Sequence, residues 1–149
     1  MSVFPGLPRG SIQMRPDNNQ RPEGGLIRVL VVDDHQALLR ALEDWLSGVP
    51  LVKVVGICGS AKDAIGCLPE QRPDLVLLDA NMPDMGGLEA VAPIKQWNPF
   101  VRVVIMSFDE IHLASARRMP TVDKTIDKHH LREQFPLLIQ EVARTRLSI

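Results

Sequence analysis

The sequence predicts an α/β domain, a doubly wound (βα)5 fold in which five parallel strands carry helices on both faces. Apolar segments typical of strands alternate along the chain with segments whose apolar residues recur at helical spacing. The first strand segment is continuously apolar, as expected of a strand that is covered on both faces. This alternation builds an open parallel sheet, and ligands then bind beyond the carboxyl ends of its strands.

Composition and length narrow the class of protein. The 149 residues allow one domain and a short extension, since a domain usually takes about 100–200 residues. The net charge of −1 argues against direct binding of nucleic acid, and there is no apolar run of about 18 residues to span a membrane. Cys58 and Cys67 lack the spacing of a metal or redox motif and are interpreted as reduced core residues. These features predict a soluble, cytoplasmic domain.

Residues 1–25 differ in composition from the rest of the chain. They contain four Pro, four Gly and a polar run at 17–20, too few apolar groups to offset the entropy of ordering. We expect a flexible tail, with a docking peptide for a partner as the alternative, followed by one domain over residues 26–149.

The first strand and helix begin that domain. Residues 27–32 form an apolar, β-branched run and predict the first strand. Gly48 and Pro50 end the helix that follows, and residues 51–57 predict the second strand. The apolar residues of the helix, at helical spacing, are Leu38, Leu39, Leu42, Trp45 and Leu46.

The second helix and third strand are bounded by a cap and two prolines. Ser60 is expected to cap the helix, whose apolar residues include Ala64 and Leu68, and Pro69 is expected to end it. Pro73 then opens the third strand, predicted over residues 75–79.

The last three helices and last two strands are predicted from the same patterns. A turn at 81–87 leads to a helix over 88–97, in which Pro93 marks a kink or a later start. Residues 101–106 predict the fourth strand and residues 111–118 a short helix. The fifth strand falls within 121–128. The last amphipathic helix, which Pro136 distorts, is marked by Leu131, Phe135, Leu138, Ile139 and Val142.

Polar residues directly after the predicted strands form the candidate site. Asp33, Asp34 and Asp79 would repel one another at adjacent strand ends unless a cation neutralised them. Mg²⁺ suits such a group, because it binds one or two carboxylates and bridges to phosphate oxygens. A carboxylate can also attack phosphorus to form an aspartyl phosphate, and Ser107 can donate to a phosphoryl oxygen. The pattern favours metal-dependent phosphoryl transfer onto Asp79.

At these residues the chain resembles the receiver domain of bacterial two-component response regulators, in the CheY-like superfamily. The matching segments are residues 29–35, 73–89 and 103–107, and the resemblance covers about residues 27–142. The run Asp33-Asp34-His35 looks most like receivers that are joined to a LuxR-type helix-turn-helix. The resemblance implies the flavodoxin-like strand order 2-1-3-4-5.

The resemblance also implies a role for each matching residue. Asp33, Asp34 and Asp79 match the Mg²⁺ ligands, and Asp79 matches the phosphoacceptor. Asn81 matches the position whose backbone carbonyl completes the metal site, and Ser107 matches the switch hydroxyl. The residues that match the loop shaping the site are Met82, Pro83, Gly86 and Gly87.

The lysine of the site has two candidates. Lys128 lies 21 residues after Ser107 and follows a run that looks like the family's fifth strand, and it is preferred. Lys124, only 17 residues after Ser107, is the alternative.

Three departures from the family pattern stand out. Thr125 occupies the position of a frequent aromatic switch, Phe108 follows the switch hydroxyl where a small residue is usual, and Met119-Pro120-Thr121 replaces the usual Gly-Ala. An aromatic flip is therefore in doubt, and Phe108 is expected to narrow access to Asp79.

Simpler interpretations of these residues stay open. Asp33 and Asp34 could cap the following helix, while Ser107 could be an ordinary hydroxyl and Lys128 a surface lysine. His35 is expected at the helix start without a chemical role, and residues 129–130 in a loop.

The resemblance implies a phosphorylation switch that is not an enzyme acting on an external substrate. A histidine kinase or histidine phosphotransferase would donate the phosphoryl group, and a protein partner would read residues 111–142, with a homodimer left open. Since only seven residues follow Val142, we expect a stand-alone receiver or one cut from a longer transcriptional regulator. The alternatives are an adaptor that binds without phosphorylation and a haloacid-dehalogenase-type hydrolase, whose Asp-x-Asp motif is not matched at Asp33.

Overall fold

The computed structural model describes residues 25–147 as five strands alternating with five helices. The strands are β1 Ile27–Val32, β2 Val52–Cys58, β3 Leu75–Asp79, β4 Arg102–Ser107 and β5 Lys124–Asp127. The helices are α1 Gln36–Leu46, α2 Ala61–Gln71, α3 Gly87–Trp97, α4 Glu110–Arg117 and α5 Leu131–Leu147. A short 3₁₀ turn, Lys128–His130, joins β5 to α5. The predicted tail lies outside the described residues, apart from Gly25.

All five strands are parallel and form one sheet in the order β2-β1-β3-β4-β5. Alternate residues of β1 point to opposite faces of the sheet. Val29 and Val31 enter a core with α1 and α5, whereas Leu30 and Val32 enter a second core with α2, α3 and α4. The predicted doubly wound α/β fold, with its strand order, is confirmed.

Local sequence signals account for several helix starts. Ser60 caps α2 as predicted, because its hydroxyl accepts a hydrogen bond from Asp63 N at 3.1 Å. His35 caps α1, since its Nδ1 accepts from Leu38 N at 3.2 Å. Asp109 caps α4 by accepting from Ile111 N at 2.9 Å.

The predicted end of α2 at Pro69 is wrong. The helix continues to Gln71, and the chain then turns at Arg72, whose φ of 49° lies in the left-handed region. Arg72 N donates to Leu68 O at 2.8 Å and closes the last turn. A proline this close to the helix end removes a single backbone bond.

Proline is also accommodated inside two other helices. α3 begins at Gly87 and contains Pro93, so a later start is wrong, and α5 contains Pro136. The predicted strand bounds differ by one residue at each end for β2 and β4. Within residues 25–147, none of the helices combines the length and apolar character needed to cross a membrane.

Candidate functional site

The predicted polar residues gather at the carboxyl edge of the sheet. Asp33 follows β1, Asp79 ends β3, Ser107 ends β4 and Lys128 follows β5. The direction in which strands are added reverses between β1 and β3. From β1 the chain passes through α1 on one face of the sheet to β2, and from β3 it passes through α3 on the other face to β4. Such a reversal opens a crevice beyond the strand ends, where ligands of open α/β sheets bind.

Three carboxylates form the centre of the site. One oxygen from each of Asp33, Asp34 and Asp79 lies within 4.8 Å of the others. Asp33 is fully buried and Asp79 is 5% exposed, whereas Asp34 is exposed. His35 N donates to Asp33 Oδ1 at 2.9 Å, which orients that carboxylate at the end of β1. The helix cap itself is His35 and neither aspartate.

A single lysine bridges the two buried carboxylates. Lys128 Nζ lies 2.7 Å from Asp33 Oδ2 and 3.2 Å from Asp79 Oδ1, and its side chain is 6% exposed. Lys124 lies elsewhere, half exposed and 3.7 Å from Glu141 Oε1. The structure therefore places Lys128 in the acidic group and Lys124 outside it.

Burial raises the pKa of Asp79. Desolvation is the largest cause, Lys128 opposes it, and the nearby charge of Asp33 raises the pKa further. The positive charge of one lysine thus leaves the carboxylates incompletely neutralised. A hard divalent cation fits this set, because all three side chains offer oxygen ligands and Asp34 faces solvent.

The loop after Asp79 stays close to the end of β3. Asn81 is exposed, and its N–H lies 3.5 Å from Asp79 Oδ1. Met82 is buried, whereas Pro83 is exposed. Gly86 N donates to Glu89 Oε1 at 2.9 Å at the start of α3.

At Gly87, where α3 begins, the backbone packs directly against the end of β3. A Cβ atom at Gly87 would lie 2.3 Å from Asp79 O and 2.9 Å from the carbonyl carbon of the same residue. Only a residue without a side chain lets α3 begin against Asp79.

Ser107 is buried and is hydrogen-bonded to the start of α4. Its Oγ accepts from Asp109 N at 2.9 Å and lies 3.4 Å from His112 Nδ1. The site hydroxyl is thus linked to α4 through two residues. The sequence did not single out His112, although its position five residues after Ser107 puts it on the first turn of α4.

Two aromatic rings lie beside Lys128, and they were not predicted to meet. The Phe108 ring is 55% exposed and packs edge-on against His129, with centroids 4.8 Å apart. Lys128 Nζ lies 5.2 Å from the Phe108 centroid. The sequence held one indication of this contact. Phe108 directly follows Ser107 and His129 directly follows Lys128, and both Ser107 and Lys128 were predicted to lie in the site.

Comparison with known proteins gives one family and a consistent set of relatives. The family model described as the response regulator receiver domain matches residues 29–136. Response regulator protein VraR of Staphylococcus epidermidis is 42% identical over 81 residues, 54% of this chain and 39% of that protein. Response regulator GacA of Pseudomonas viridiflava is 36% identical over 85 residues, 57% of this chain and 40% of that protein. The chain thus spans about two fifths of the length of these relatives.

Solved structures show the same fold. The response regulator domain of Thermotoga maritima CheB is 29% identical, with a TM-score of 0.65 over 83% of this chain and 98% of that one. A LuxR-family two-component response regulator from Aurantimonas is 23% identical, with a TM-score of 0.70 over 80% of this chain and 86% of that one. At that lower identity the likeness concerns the fold alone.

Proposed function

Because the chain belongs to the response regulator receiver domain family, we propose that Asp79 accepts a phosphoryl group from a histidine kinase or a histidine phosphotransferase. The observation that carries the proposal is the meeting of Asp33, Asp34, Asp79 and Lys128 at one edge of the sheet. We place this activity in the cytoplasm, where such donors present their phosphohistidine.

The chemistry follows from the positions of these groups. An Asp79 carboxylate oxygen attacks phosphorus, a P–O bond forms, the P–N bond to the donor histidine breaks, and the leaving imidazole takes up a proton. Asp33, Asp34 and Asp79 would hold Mg²⁺, with the backbone carbonyl of Asn81 as a further ligand. When bound, this ion supplies positive charge that screens the phosphoryl oxygens.

Lys128 and Ser107 bind the transferred group in this proposal. Lys128 already contacts Asp79 and exchanges part of that contact for a phosphoryl oxygen. Ser107 leaves Asp109 N and His112 to donate its hydroxyl proton to a second oxygen. The chain therefore assists only its own phosphorylation and dephosphorylation and turns over no external substrate.

We propose that the output is a protein contact made by the surface of α4, β5 and α5. Ser107 ends β4 just before the loop that leads into α4, and Lys128 begins the turn that leads into α5, so the chain joins both phosphoryl-binding groups to this surface. Its occupant is a downstream partner protein or a second copy of the chain.

A second candidate is the receiver part of a longer DNA-binding regulator. The observation that favours it is the coverage of the relatives, of which this chain matches about two fifths. In that case the same surface would contact a further domain of the whole protein rather than a separate partner.

The test is phosphorylation by a small donor. We expect acetyl phosphate and Mg²⁺ to add one phosphoryl group, seen as a retarded band on a Phos-tag gel and as a mass increase. Asp79→Asn should abolish the modification, while Asp84→Asn, at an exposed aspartate of the same loop, should leave it intact. A parent protein that stays unmodified would favour the adaptor that signals by binding alone.

A further inference from the structure

The two cysteines of the chain lie in contact on the edge of the sheet opposite Lys128. Cys58 is the last residue of β2 and Cys67 lies in α2, and both side chains are partly buried. Their sulfur atoms are 3.7 Å apart, and Cys67 Sγ donates to Ala64 O at 3.3 Å. The spacing in the sequence matches no redox motif. The return of α2 onto β2 makes the contact.

We propose that Cys58 and Cys67 are a redox-sensitive dithiol that a hydroperoxide converts into an intramolecular disulfide. Disulfide sulfurs are about 2.05 Å apart, so these atoms need to approach by only about 1.6 Å from their contact distance. Both thiols lie in the partly exposed layer of the second core, which a small oxidant can reach more readily than a fully buried pair.

The reaction is balanced with one equivalent of hydroperoxide. The thiolate of one cysteine attacks the terminal peroxide oxygen, the O–O bond breaks, and a sulfenic acid forms while the second oxygen leaves as an alcohol or water. The sulfur of the other cysteine then attacks the sulfenic sulfur, the S–S bond forms, and the hydroxyl group leaves with the proton of that second thiol as water. Two thiols are oxidised and one peroxide is reduced.

Either thiol can take the attacking role. The two sulfur atoms are in contact and both side chains are partly buried, so one thiolate attacks the peroxide and the other thiol then closes the disulfide.

The disulfide would act on the acidic site through the backbone. Cys58 pairs with Val32 in the sheet, and Asp33 N donates to Cys58 O at 3.0 Å. Drawing Cys58 toward α2 pulls on this hydrogen bond and hence on the buried carboxylate of Asp33. We expect oxidation to lower Mg²⁺ affinity several-fold, and this link rests on the proposed function.

The experiment treats the full chain with stoichiometric hydrogen peroxide and maps its peptides without reduction. We expect a cross-linked peptide pair containing Cys58 and Cys67, loss of both thiols to N-ethylmaleimide, and recovery of both with dithiothreitol. Two thiols that stay reactive, or sulfinic acid without a cross-link, would overturn the proposal. Because the unmutated protein is mapped, the result does not depend on whether a variant folds.

Two single variants test whether the neighbouring thiol resolves the sulfenic acid. Cys58→Ser or Cys67→Ser should leave a sulfenic acid that dimedone traps, whereas the parent should show little dimedone labelling. A parent protein that is labelled as strongly as both variants would overturn resolution by the neighbouring thiol.

Mg²⁺ titration then separates the redox site from the proposed function. Reduced protein that binds no Mg²⁺ contradicts the proposed function but leaves the disulfide test valid. A disulfide that forms without changing Mg²⁺ affinity overturns the link to Asp33. Peroxide-treated Cys58→Ser is the matched control for oxidation of other residues.

Discussion

At the scale of single residues, one ammonium group contacts two buried carboxylates. Lys128 Nζ contacts both Asp33 and Asp79, and all three side chains are at most 8% exposed. Removing one member of a buried ion pair leaves an uncompensated charge, which typically costs about 3–5 kcal/mol. The acidic site is thus a local source of instability that a cation relieves.

We predict different effects for the two lysines. Lys128→Ala should lower the free energy of unfolding by about 3 kcal/mol without Mg²⁺ and weaken beryllofluoride binding. Lys124→Ala should change the free energy of unfolding and beryllofluoride binding only slightly, because Lys124 is half exposed and its charge is screened. Urea denaturation and fluorescence titration measure the two effects. The opposite ranking would move the site lysine to Lys124.

Asp79 is predicted to make stability depend on pH. Its pKa in the folded chain is raised by burial, opposed by Lys128 and raised further by Asp33. Its contribution to stability is therefore fully present below its ordinary pKa and is lost as pH rises through the raised value. Asp79→Asn should be more stable than the parent at neutral pH without Mg²⁺, and the difference should shrink in acid. Urea denaturation midpoints of the parent and of Asp79→Asn, measured at neutral and at acidic pH, check this. A variant that is less stable at neutral pH would contradict it.

Phe108 is predicted to restrict access to Asp79. Its ring packs against His129 and lies 5.2 Å from the Lys128 ammonium, which in turn contacts the Asp79 carboxylate that must meet the donor. Phe108→Ala should speed both labelling by acetyl phosphate and loss of the label by hydrolysis. Phe100→Ala is the matched control, since Phe100 is similarly exposed at 51% but lies between α3 and β4. Equal rates in all three proteins would exclude a shielding role.

The acidic residues of the site could be predicted from the sequence, whereas two side-chain pairs could not. Asp33, Asp79 and Ser107 follow apolar strands directly, so the parallel sheet alone brings them to one edge. Cys58 meets Cys67 only through the packing of α2 on β2, and Phe108 meets His129 only through two loops. Such contacts depend on side-chain directions that periodicity does not encode.

At the scale of helices and strands, the start of α3 is the tightest contact near the site. Gly87 approaches the backbone of Asp79 so closely that an added Cβ would overlap its carbonyl group. The helix can begin there only if that position has no side chain. The position of the start of α3 is therefore tied to the end of β3.

We predict opposite effects of alanine at two glycines. Gly87→Ala should destabilise the fold by at least about 1–3 kcal/mol, as overpacking does, and should weaken Mg²⁺ binding by displacing Asp79. Gly66→Ala, in α2 with nothing within 4 Å of the added Cβ, should stabilise by about 0.5–1 kcal/mol. Urea denaturation and Mg²⁺ titration measure both. A silent Gly87→Ala would contradict the close approach.

The existence of the helices could be predicted, but the effect of the prolines inside them could not. Pro69, Pro93 and Pro136 all lie inside helices that tertiary packing stabilises. Ala64 and Leu68 bury α2 against the sheet, and that burial outweighs the single backbone bond lost at Pro69. A rule that ends every helix at a proline therefore places the end of a packed helix such as α2 too early.

At the scale of the whole molecule, the β2 side and the β5 side of the sheet differ in their connection to the site. Ser107 contacts Asp109 and His112 at the start of α4, and Lys128 lies in the turn that leads into α5. The helices α1 and α2 contribute no group that we expect to contact the phosphoryl oxygens. A charge placed on Asp79 thus acts first on α4, β5 and α5.

We predict that this charge shifts residues 111–142 between two packings. To invert a two-state population from 1:99 to 99:1, the phosphoryl group must favour one packing by about 5.5 kcal/mol, and a dianion beside Mg²⁺ and Lys128 is a suitable source. Because Thr125 replaces an aromatic residue, we expect a shift of loop and helix rather than a ring flip. Amide chemical shifts with and without beryllofluoride should change along α4, β5 and α5, and Asp79→Asn should abolish these changes. Changes confined to α1 and α2, with residues 111–142 silent, would show that the output surface lies on the other side of the molecule.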